Sequence, residues 1–340
     1  MNNFVEETVA RYSPDDFTSH FRMSREKVEE VTVIFGRDFS PRQLIPPLHQ
    51  VLLSLWLLAN HVSFRSVADR FDVTKSCAWS MFMEFCTTCA KRANEFITWP
   101  VNTVQVMAGF RDMAGFPGVV GCVDGIHIPI LMPSDRGYQY INRKGFPSIN
   151  MLAVCDNNMR FTWVNVGWPG SVHDARIYRN ELEPLLMGAG RNELLGVDGH
   201  LLGDAAFPLS SHMLVPFRDN GHLGERKVYY NSKLSSTRMT IERTFGRFKG
   251  KFRRMKNLDM LRVDLIPNVI LAACVLHNVS MEEEQEENPA EHPEEQVEAL
   301  DHDEGVEEPG DQQDEQDGNG AQKRDEMVER LWAYRRGRMQ

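Results

Sequence analysis

The pattern of apolar positions divides the chain into two kinds of segment. In the first hundred residues they recur at helical spacing, most densely from Leu48 to Asn60, where almost no polar face is left. Later in the chain, short apolar runs alternate with helical stretches, at residues 119–124, 149–155, 161–167, 201–204 and about 213–216. Runs of this length are typical of buried strands. We therefore predict an all-helical N-terminal region followed by an α/β domain.

The order of elements in the second part predicts a mixed sheet. The second and third runs form a hairpin that turns at Asp156-Asn157-Asn158. A helix from about Val172 to Leu186, two more strands and a helix from Arg238 to about Lys256 follow. This order favours an antiparallel hairpin beside later strands that run parallel to the first, with helices on the flanks.

Residues 63–79 have the outline of a helix-turn-helix. The turn falls at Asp72-Val73, and Thr74 is a candidate N-cap for the second helix. Lys75 and Ser76 then lie near the start of a candidate recognition helix and are predicted to contact DNA. A packed helix pair with no DNA contact has the same pattern. On either side of the helical region, residues 1–20 are predicted to be loosely structured and residues 95–118 to form a connector.

Three carboxylates follow or interrupt apolar segments on separate elements. Asp124 and Asp204 each end an apolar run, and Glu242 is the one acid in a helix rich in bases. Burying such a carboxylate costs several kcal/mol unless a partner compensates it. A divalent cation, Mg²⁺ or Mn²⁺, is such a partner, and three acids on an α/β domain suit a pair of these ions at a scissile phosphate. For Asp124 alone, an ordinary Asp-Gly turn fits equally well.

The helix that carries Glu242 has two stripes at helical spacing. The apolar stripe consists of Ile241, Phe245, Phe248, Phe252 and Met255. The adjacent stripe holds one acid, a gap and three cations, with Arg238 one turn earlier: Glu242, Gly246, Lys249, Arg253 and Lys256. We predict that the four cations contact DNA; the alternative is that they form surface pairs with neighbouring acids.

Two loops carry further candidate residues. Ser171 and Asp174 fit a capping box, which gives Asp174 a structural role. The same loop is expected to return to the end of the sheet where Asp124 lies, so Asp174 is also a candidate metal ligand. The loop from Pro133 to Ser148 holds two tyrosines beside cations, a pattern shared by nucleic-acid contacts and plain surface loops.

Charge is unevenly distributed over the 340 residues, whose net charge is −10. Residues 281–320 hold 18 acids and no Lys or Arg, so the other 300 residues carry +8. A basic body suits a polyanionic partner such as DNA. The acidic segment is predicted to be disordered, and residues 321–340 to form a short basic amphipathic helix.

The cysteines and the apolar runs indicate in which cellular compartment the protein is expected. Cys86 and Cys89 form a CxxC pair on a helical pattern without a second pair, which favours core thiols over zinc. Free thiols indicate a reducing compartment. The apolar run at residues 51–59 is too short to span a bilayer, and no signal-like segment opens the chain, so no membrane association is predicted.

Four blocks of sequence, at residues 121–128, 167–176, 202–208 and 241–249, resemble the PIF/Harbinger class of DDE transposases, and in particular its transposase-derived nucleases. The resemblance spans about residues 20–280. It implies an RNase H-like fold and metal-dependent cleavage of DNA, with the three acids as catalytic residues and the His-Asp block, here Asp174, as part of the site. It also implies a separate Myb/SANT-like DNA-binding partner.

Together these patterns predict residues 1–95 as a helical DNA-binding region, 96–280 as the RNase H-like catalytic domain, 281–320 as an acidic linker and 321–340 as a basic helix. The predicted function is a two-metal nuclease in the nucleus, with the cytoplasm as a second location. A domesticated DNA-binding or chromatin-associated protein without turnover is the main alternative, and an enzyme acting on RNA is another. The sequence leaves the target sequence, strand transfer and oligomeric state open.

Overall fold

A computed structural model describes residues 4–40, 45–188, 191–287 and 318–337. Within these residues one mixed sheet is formed by β1 Val119–Pro129, β2 Ser148–Cys155, β3 Phe161–Pro169, β4 His200–Leu202 and β5 Met213–Leu214. The helices are α1 Pro14–Phe21, α2 Arg25–Gly36, α3 Pro47–Ala59, α4 Phe64–Arg70, α5 Lys75–Lys91, α6 Ala93–Phe96, α7 Thr103–Ala114, α8 Asp174–Ile177, α9 Glu183–Met187, α10 Arg191–Leu195, α11 Glu225–Lys251, α12 Ile266–Glu287 and α13 Gly318–Gly337.

The strand order across the sheet is β3-β2-β1-β4-β5. The hairpin strands β2 and β3 are antiparallel to each other, and β2 is antiparallel to β1. β4 is parallel to β1, and β5 is parallel to β4. This arrangement confirms the predicted RNase H-like mixed sheet with helices on both of its faces.

Side-chain caps fix where the N-terminal helices begin. Ser24, Ser63 and Thr74 each accept a hydrogen bond from the backbone N–H three residues later, which satisfies a donor that the helix itself leaves free. The last two caps open α4 and α5, so the predicted helix-turn-helix outline is confirmed as a pair of helices.

Two predictions about irregular segments were wrong. Residues 4–11 form short π-helical and 3₁₀ turns before α1, and the expected connector at residues 95–118 contains the twelve-residue helix α7. Only Val106 and Phe110 of α7 are buried, because the helix lies against the sheet on a narrow face. A stripe that narrow, flanked by Pro, Gly and aromatic residues, gave too weak a periodicity to be recognised.

The helix α12 joins the N-terminal helices to the sheet. The side-chain amide of Asn278 accepts from the Phe161 N–H at 2.8 Å and donates to the Phe161 and Phe96 carbonyls, which ties α12 to β3 and α6. Its other side packs on α5, where Cys86 and Cys89 are buried thiols, as predicted. The segment 263–283 is long and apolar enough to cross a membrane, but 67% of its apolar window is buried inside this fold.

The helix α11 begins earlier and ends sooner than predicted. It starts at Glu225 and stops at Lys251, and the chain continues as a 3₁₀ turn at Arg253–Lys256. The predicted apolar stripe from Ile241 to Met255 is buried throughout. The helix ends because Phe252 and Met255 turn inward to the core and the Leu258 N–H then bonds the Pro129 carbonyl at 2.8 Å. Arg253 and Lys256 therefore do not continue the stripe of Glu242 and Lys249, and that part of the prediction was wrong.

The C-terminal helix α13 docks beside β5. Met327, Val328 and Leu331 are buried there, and the Lys323 ammonium donates to the carbonyls of Gly199 and Ser211. The predicted acidic linker falls mostly at residues 288–317, outside the described residues, while residues 281–287 belong to α12.

The hairpin turn contains a buried carboxyl whose ionisation opposes folding. Burial raises the pKa of Asp156 to about 6, even though its carboxylate accepts hydrogen bonds from the Asn158 and Arg160 N–H groups. The folded protein thus holds this proton more tightly than the unfolded chain. Stability is consequently lost as the pH rises from about 4 to about 6, and the loss is complete above that range.

Asp156→Asn is expected to stabilise the protein at pH 7.5 by about 1–3 kcal/mol and to have little effect at pH 4, because the amide keeps the acceptor but cannot ionise. Urea unfolding at the two pH values measures the difference, with the exposed Asp135→Asn as control. An equal effect of Asp156→Asn at both pH values would contradict this account.

Candidate active site

Strand register places two carboxylates side by side. In the parallel pair of β1 and β4, Cys122 lies opposite Leu202, and two residues further along each chain are Asp124 and Asp204. The charge of Asp204 raises the pKa of Asp124, so the two carboxyls are neighbours. Asp124 does not end its strand, as the sequence had suggested, since β1 runs on to Pro129 beside β2. Only the pairing of β1 with β4 stops before Asp124.

The helix α11 brings the third acid to the same face of the sheet. Side chains alternate along a strand, so Asp124 shares a face with Cys122, whose thiol contacts the Thr237 carbonyl of α11 at 3.4 Å. On the next residue of α11, the Arg238 guanidinium lies 2.9 Å from Asp124 Oδ2 and 2.6 Å from Oε1 of Glu242, which is one turn further along the helix. Asp124, Asp204 and Glu242 therefore converge, although they are far apart in sequence.

Arg238 was predicted to contact DNA, and the structure gives its guanidinium a position between two acids. Burial opposes its charge, but Asp124, Glu242 and Asp204 together hold the pKa of Arg238 above its ordinary value. Its side chain is 21% exposed. A contact between Arg238 and DNA stays a prediction. In such a contact, a guanidinium that is already paired with two acids would have to bind a phosphate as well.

The Asp124 carboxyl lies in a setting that disfavours its charge. Burial, together with the charges of Asp204 and Asp174, raises its pKa to about 7, although the charge of Arg238 acts in the opposite direction. The Gly125 N–H donates to Oδ1 at 2.9 Å and favours the ionised form. Additional positive charge at this place would stabilise the carboxylate.

Asp174 reaches the site from the other face of the sheet. Its carboxyl packs directly over Gly125 and fills the space that a Cβ atom would take there, so the missing side chain is what admits it. The Asn150 amide donates to Asp174 Oδ1 at 2.6 Å. The predicted capping box was wrong, because α8 begins at Asp174 itself, after His173 in the N-cap position without a side-chain cap bond.

Sequence reasoning missed Asn150 and the role of Gly125. Asn150 is fully buried in β2, donates to Asp174 and to the Val172 carbonyl, and leaves its own Oδ1 without a hydrogen-bond partner. An asparagine inside the apolar run 149–155 was the available signal, since a buried amide needs partners. Gly125 was interpreted only as a turn residue.

Carboxylate oxygens are the donors that Mg²⁺ and Mn²⁺ prefer, so the chemistry of Asp124, Asp174, Asp204 and Glu242 fits such an ion. Among the described residues, however, no three His, Cys, Asp or Glu side chains lie close enough to hold one ion. Arg238 supplies the positive charge between Asp124 and Glu242 instead. Metal ligation by these acids therefore requires that Arg238 give up part of its pairing.

The other residues predicted to contact DNA fall into two places. Lys75 and Ser76 are exposed at the first turn of α5, where the Ser76 hydroxyl lies 3.1 Å from that of Thr74. Lys249 donates to the His127 carbonyl at 2.9 Å, and Arg253 and Lys256 are exposed on the 3₁₀ turn that follows. The second group thus lies near the end of β1.

Residues 123–278 match the family model of a DDE superfamily endonuclease, a range that contains all four acids. The human protein named "Putative nuclease HARBI1" is 30% identical over 292 residues, which cover 81% of each chain. The chain belongs to the Harbinger-derived HARBI1 family of DDE endonucleases.

The HARBI1 family has relatives in plants as well. Arabidopsis thaliana "Protein ALP1-like" is 24% identical over 80% of this chain and 72% of its own. The Arabidopsis protein named "Antagonist of like heterochromatin protein 1" is 25% identical, over 77% and 72% respectively. No solved structure matches the chain.

Arg238→Met is expected to destabilise the protein by about 2–4 kcal/mol in EDTA, because it leaves Asp124 and Glu242 facing each other in a mostly buried place. Urea unfolding measures the loss. The matched control is Arg262→Met, whose ion pair with Asp264 is largely exposed and should contribute nothing measurable. Adding Glu242→Gln to Arg238→Met should recover part of the loss; a stability unchanged by Arg238→Met would show that the ion pairs do not hold the site together.

Proposed function

We propose that this member of the HARBI1 family hydrolyses phosphodiester bonds of DNA with the help of two divalent ions, Mg²⁺ or Mn²⁺. The observation that supports this most directly is the convergence of three acids from β1, the end of β4 and α11 on one place at the sheet. The matching DDE endonuclease model over the same residues supports the reaction class.

The residues have distinct parts in this proposal. Asp124, Asp204 and Glu242 bind the ions, with Asp174 as an auxiliary ligand. When bound, the ions supply activation of water for attack on phosphorus and stabilisation of the leaving oxygen. Arg238 releases the acids and keeps its charge beside them, close to where the phosphate would lie. No serine, cysteine or tyrosine serves as a nucleophile.

DNA is the proposed substrate and the nucleus the proposed location, with the cytoplasm as a second one. Lys75 and Ser76 are exposed at the start of α5, which is compatible with contact to a duplex. A Myb/SANT-like protein is the proposed partner for sequence recognition. If that partner recognises the DNA sequence, this chain would contact mainly the phosphate backbone of the DNA, and such contacts carry no sequence information.

A second function is favoured by one observation. Arg238 neutralises two of the three acids, as would suit a protein that keeps the carboxylates for structure alone. A relative's name refers to heterochromatin. The alternative is thus a DNA-binding or chromatin-associated protein without turnover.

Asp124→Asn, Asp204→Asn and Glu242→Gln are each expected to reduce nicking of a supercoiled plasmid in Mg²⁺ or Mn²⁺ by at least about 100-fold, because each removes a charged ligand. The exposed Asp264→Asn serves as control. Mn²⁺ should raise the melting temperature of the wild type and of the control, but not of the three variants.

The outcomes separate the two functions. If no form nicks DNA while wild type and variants bind it equally, the protein lacks turnover and the alternative is correct. Cleavage of RNA in preference to DNA under the same conditions would identify an RNA-directed enzyme. Nicking that survives all three substitutions would exclude these acids as the catalytic residues.

The auxiliary role of Asp174 has its own test. Gly125→Ala would push the Asp174 carboxyl away, and we expect the Mn²⁺ concentration for half-maximal nicking to rise about 10-fold. Gly109→Ala is the matched control, since its new Cβ would meet the Asn157 side chain just as closely, far from the acids. Both changes should cost stability, by about 1–3 kcal/mol. An equal metal dependence in the two variants would remove Asp174 from the ligand set.

A further inference from the structure

Three lysines from three different elements surround the last residues of β1. They are Lys144, Lys249 and Lys256, here called the lysine cluster. The cluster is separate from the site formed by the acids around Asp124. Each is fixed by the hydrogen bonds of its own segment to the end of the same strand.

Lys249 is attached directly. It lies on α11, half-buried, and its ammonium donates to the His127 carbonyl of β1 at 2.9 Å. The contact uses one of its three donors.

Lys144 is placed by a tight turn. The buried Asn142 side chain accepts from the Lys144 and Phe146 N–H groups and donates to the Ser148 hydroxyl. That hydroxyl lies 3.0 Å from His127 Nδ1. The turn that carries Lys144 is therefore anchored to the same β1 residue whose carbonyl binds Lys249.

Lys256 is the third member of the lysine cluster. It ends the 3₁₀ turn after α11, and the Leu258 N–H just beyond it bonds the Pro129 carbonyl. Leu258 also forms a parallel bridge with Ile130. The segment is thereby fixed two residues beyond His127.

The cluster concentrates positive charge around the half-buried Lys249, with the exposed Lys144 and Lys256 beside it. Burial, together with the charges of Lys256 and Lys144, lowers the pKa of Lys249 to about 8. Like charges held this close by backbone anchors repel each other, and an anion between them would relieve the repulsion. The arrangement is that of a binding place for a phosphate.

The distance from the acids is set by regular structure. Seven residues of α11 separate Glu242 from Lys249, about 10 Å along a helix. Three residues of β1 separate Asp124 from His127, again about 10 Å. A strand of B-form DNA advances only about 3.4 Å along the axis per nucleotide but also winds around it, so phosphates about 10 Å apart in space are one or two nucleotides apart.

We propose that the lysine cluster binds one backbone phosphate of the DNA strand, one or two nucleotides from the phosphate that faces the acids. This rests on the proposed function for its substrate. The cluster acts as a positioning site that fixes how the strand lies across Asp124 and Glu242, and Lys144 joins it from the loop at residues 133–148, whose cations the sequence offered as one possible nucleic-acid contact.

The first measurement is binding of a DNA duplex to the full chain by fluorescence anisotropy in EDTA, over a range of salt concentrations. Lys144→Gln, Lys249→Met and Lys256→Gln should each weaken binding about 3–10-fold and reduce the salt slope by about 0.9. Lys227→Gln, on the exposed first turn of the same helix α11, is the matched control and should change neither. In Lys144→Gln and Lys256→Gln, melting temperatures and the Mn²⁺-induced shift should stay as in wild type, which shows that the fold and the acids are intact.

The second measurement locates the phosphate. Single neutral methylphosphonate linkages are moved along one strand of an oligonucleotide whose cut site has been mapped. One linkage, one or two nucleotides from the cut, should weaken binding to wild type and have no further effect on Lys249→Met. Equal losses in both proteins at every position would overturn the proposal, as would cluster variants that bind DNA as wild type does.

Failure of this proposal is distinguishable from failure of the proposed function. Normal nicking with unaffected DNA binding in the cluster variants would refute the positioning site alone. Weakened binding without any nicking would support the site and refute the nuclease. Inorganic phosphate should compete with DNA for wild type but not for Lys249→Met, whereas competition by an acidic peptide of residues 301–317 alone would assign the cluster to that segment and overturn the proposal.

Discussion

The ion pairs of Arg238 with Asp124 and Glu242 set the constraint on which the site depends. The two carboxylates come from a strand and a helix, and both are less than one-fifth exposed. Acids brought together in such a place repel each other, and leaving one uncompensated costs several kcal/mol. A single guanidinium offsets both charges, and its planar fork can do so with two separate nitrogens. The register of α11 against β1 must be correct for this to happen.

Two other contacts fix that register. Thr237 meets Cys122 and Lys249 meets His127, so twelve residues of helix run alongside five residues of strand. Both lengths are about 17–18 Å, which lets the two elements stay in step over the whole contact. The buried apolar stripe of α11 supplies the packing energy, and the ion pairs fix the orientation of the helix on the strand. A slip of one helical residue would turn Arg238 away from the acids.

Much of this architecture could be predicted from the sequence because its signals are local. The cap at Thr74, the hairpin and the apolar stripe of α11 each follow from residue types at fixed spacing. The convergence of the three acids was predicted from strand ends, although β1 in fact continues past Asp124. What the sequence could not show depends on neighbours distant along the chain: the end of α11 at the core-facing Phe252, the space that Gly125 leaves for Asp174, and the amide of Asn150.

Under the proposed function, the same helix and strand would couple metal binding to DNA binding. One end of the α11–β1 pair carries acids and the other carries lysines, about 10 Å apart on rigid elements. A phosphate at the lysine end would be attracted whether or not divalent ions are present. The next phosphates along the strand would approach Asp124, Asp204 and Glu242, and one Arg238 cannot neutralise both these acids and an incoming phosphate. Divalent cations would therefore be needed less to hold the DNA as a whole than to let it approach the acids, and the lysine end would determine which phosphate arrives there.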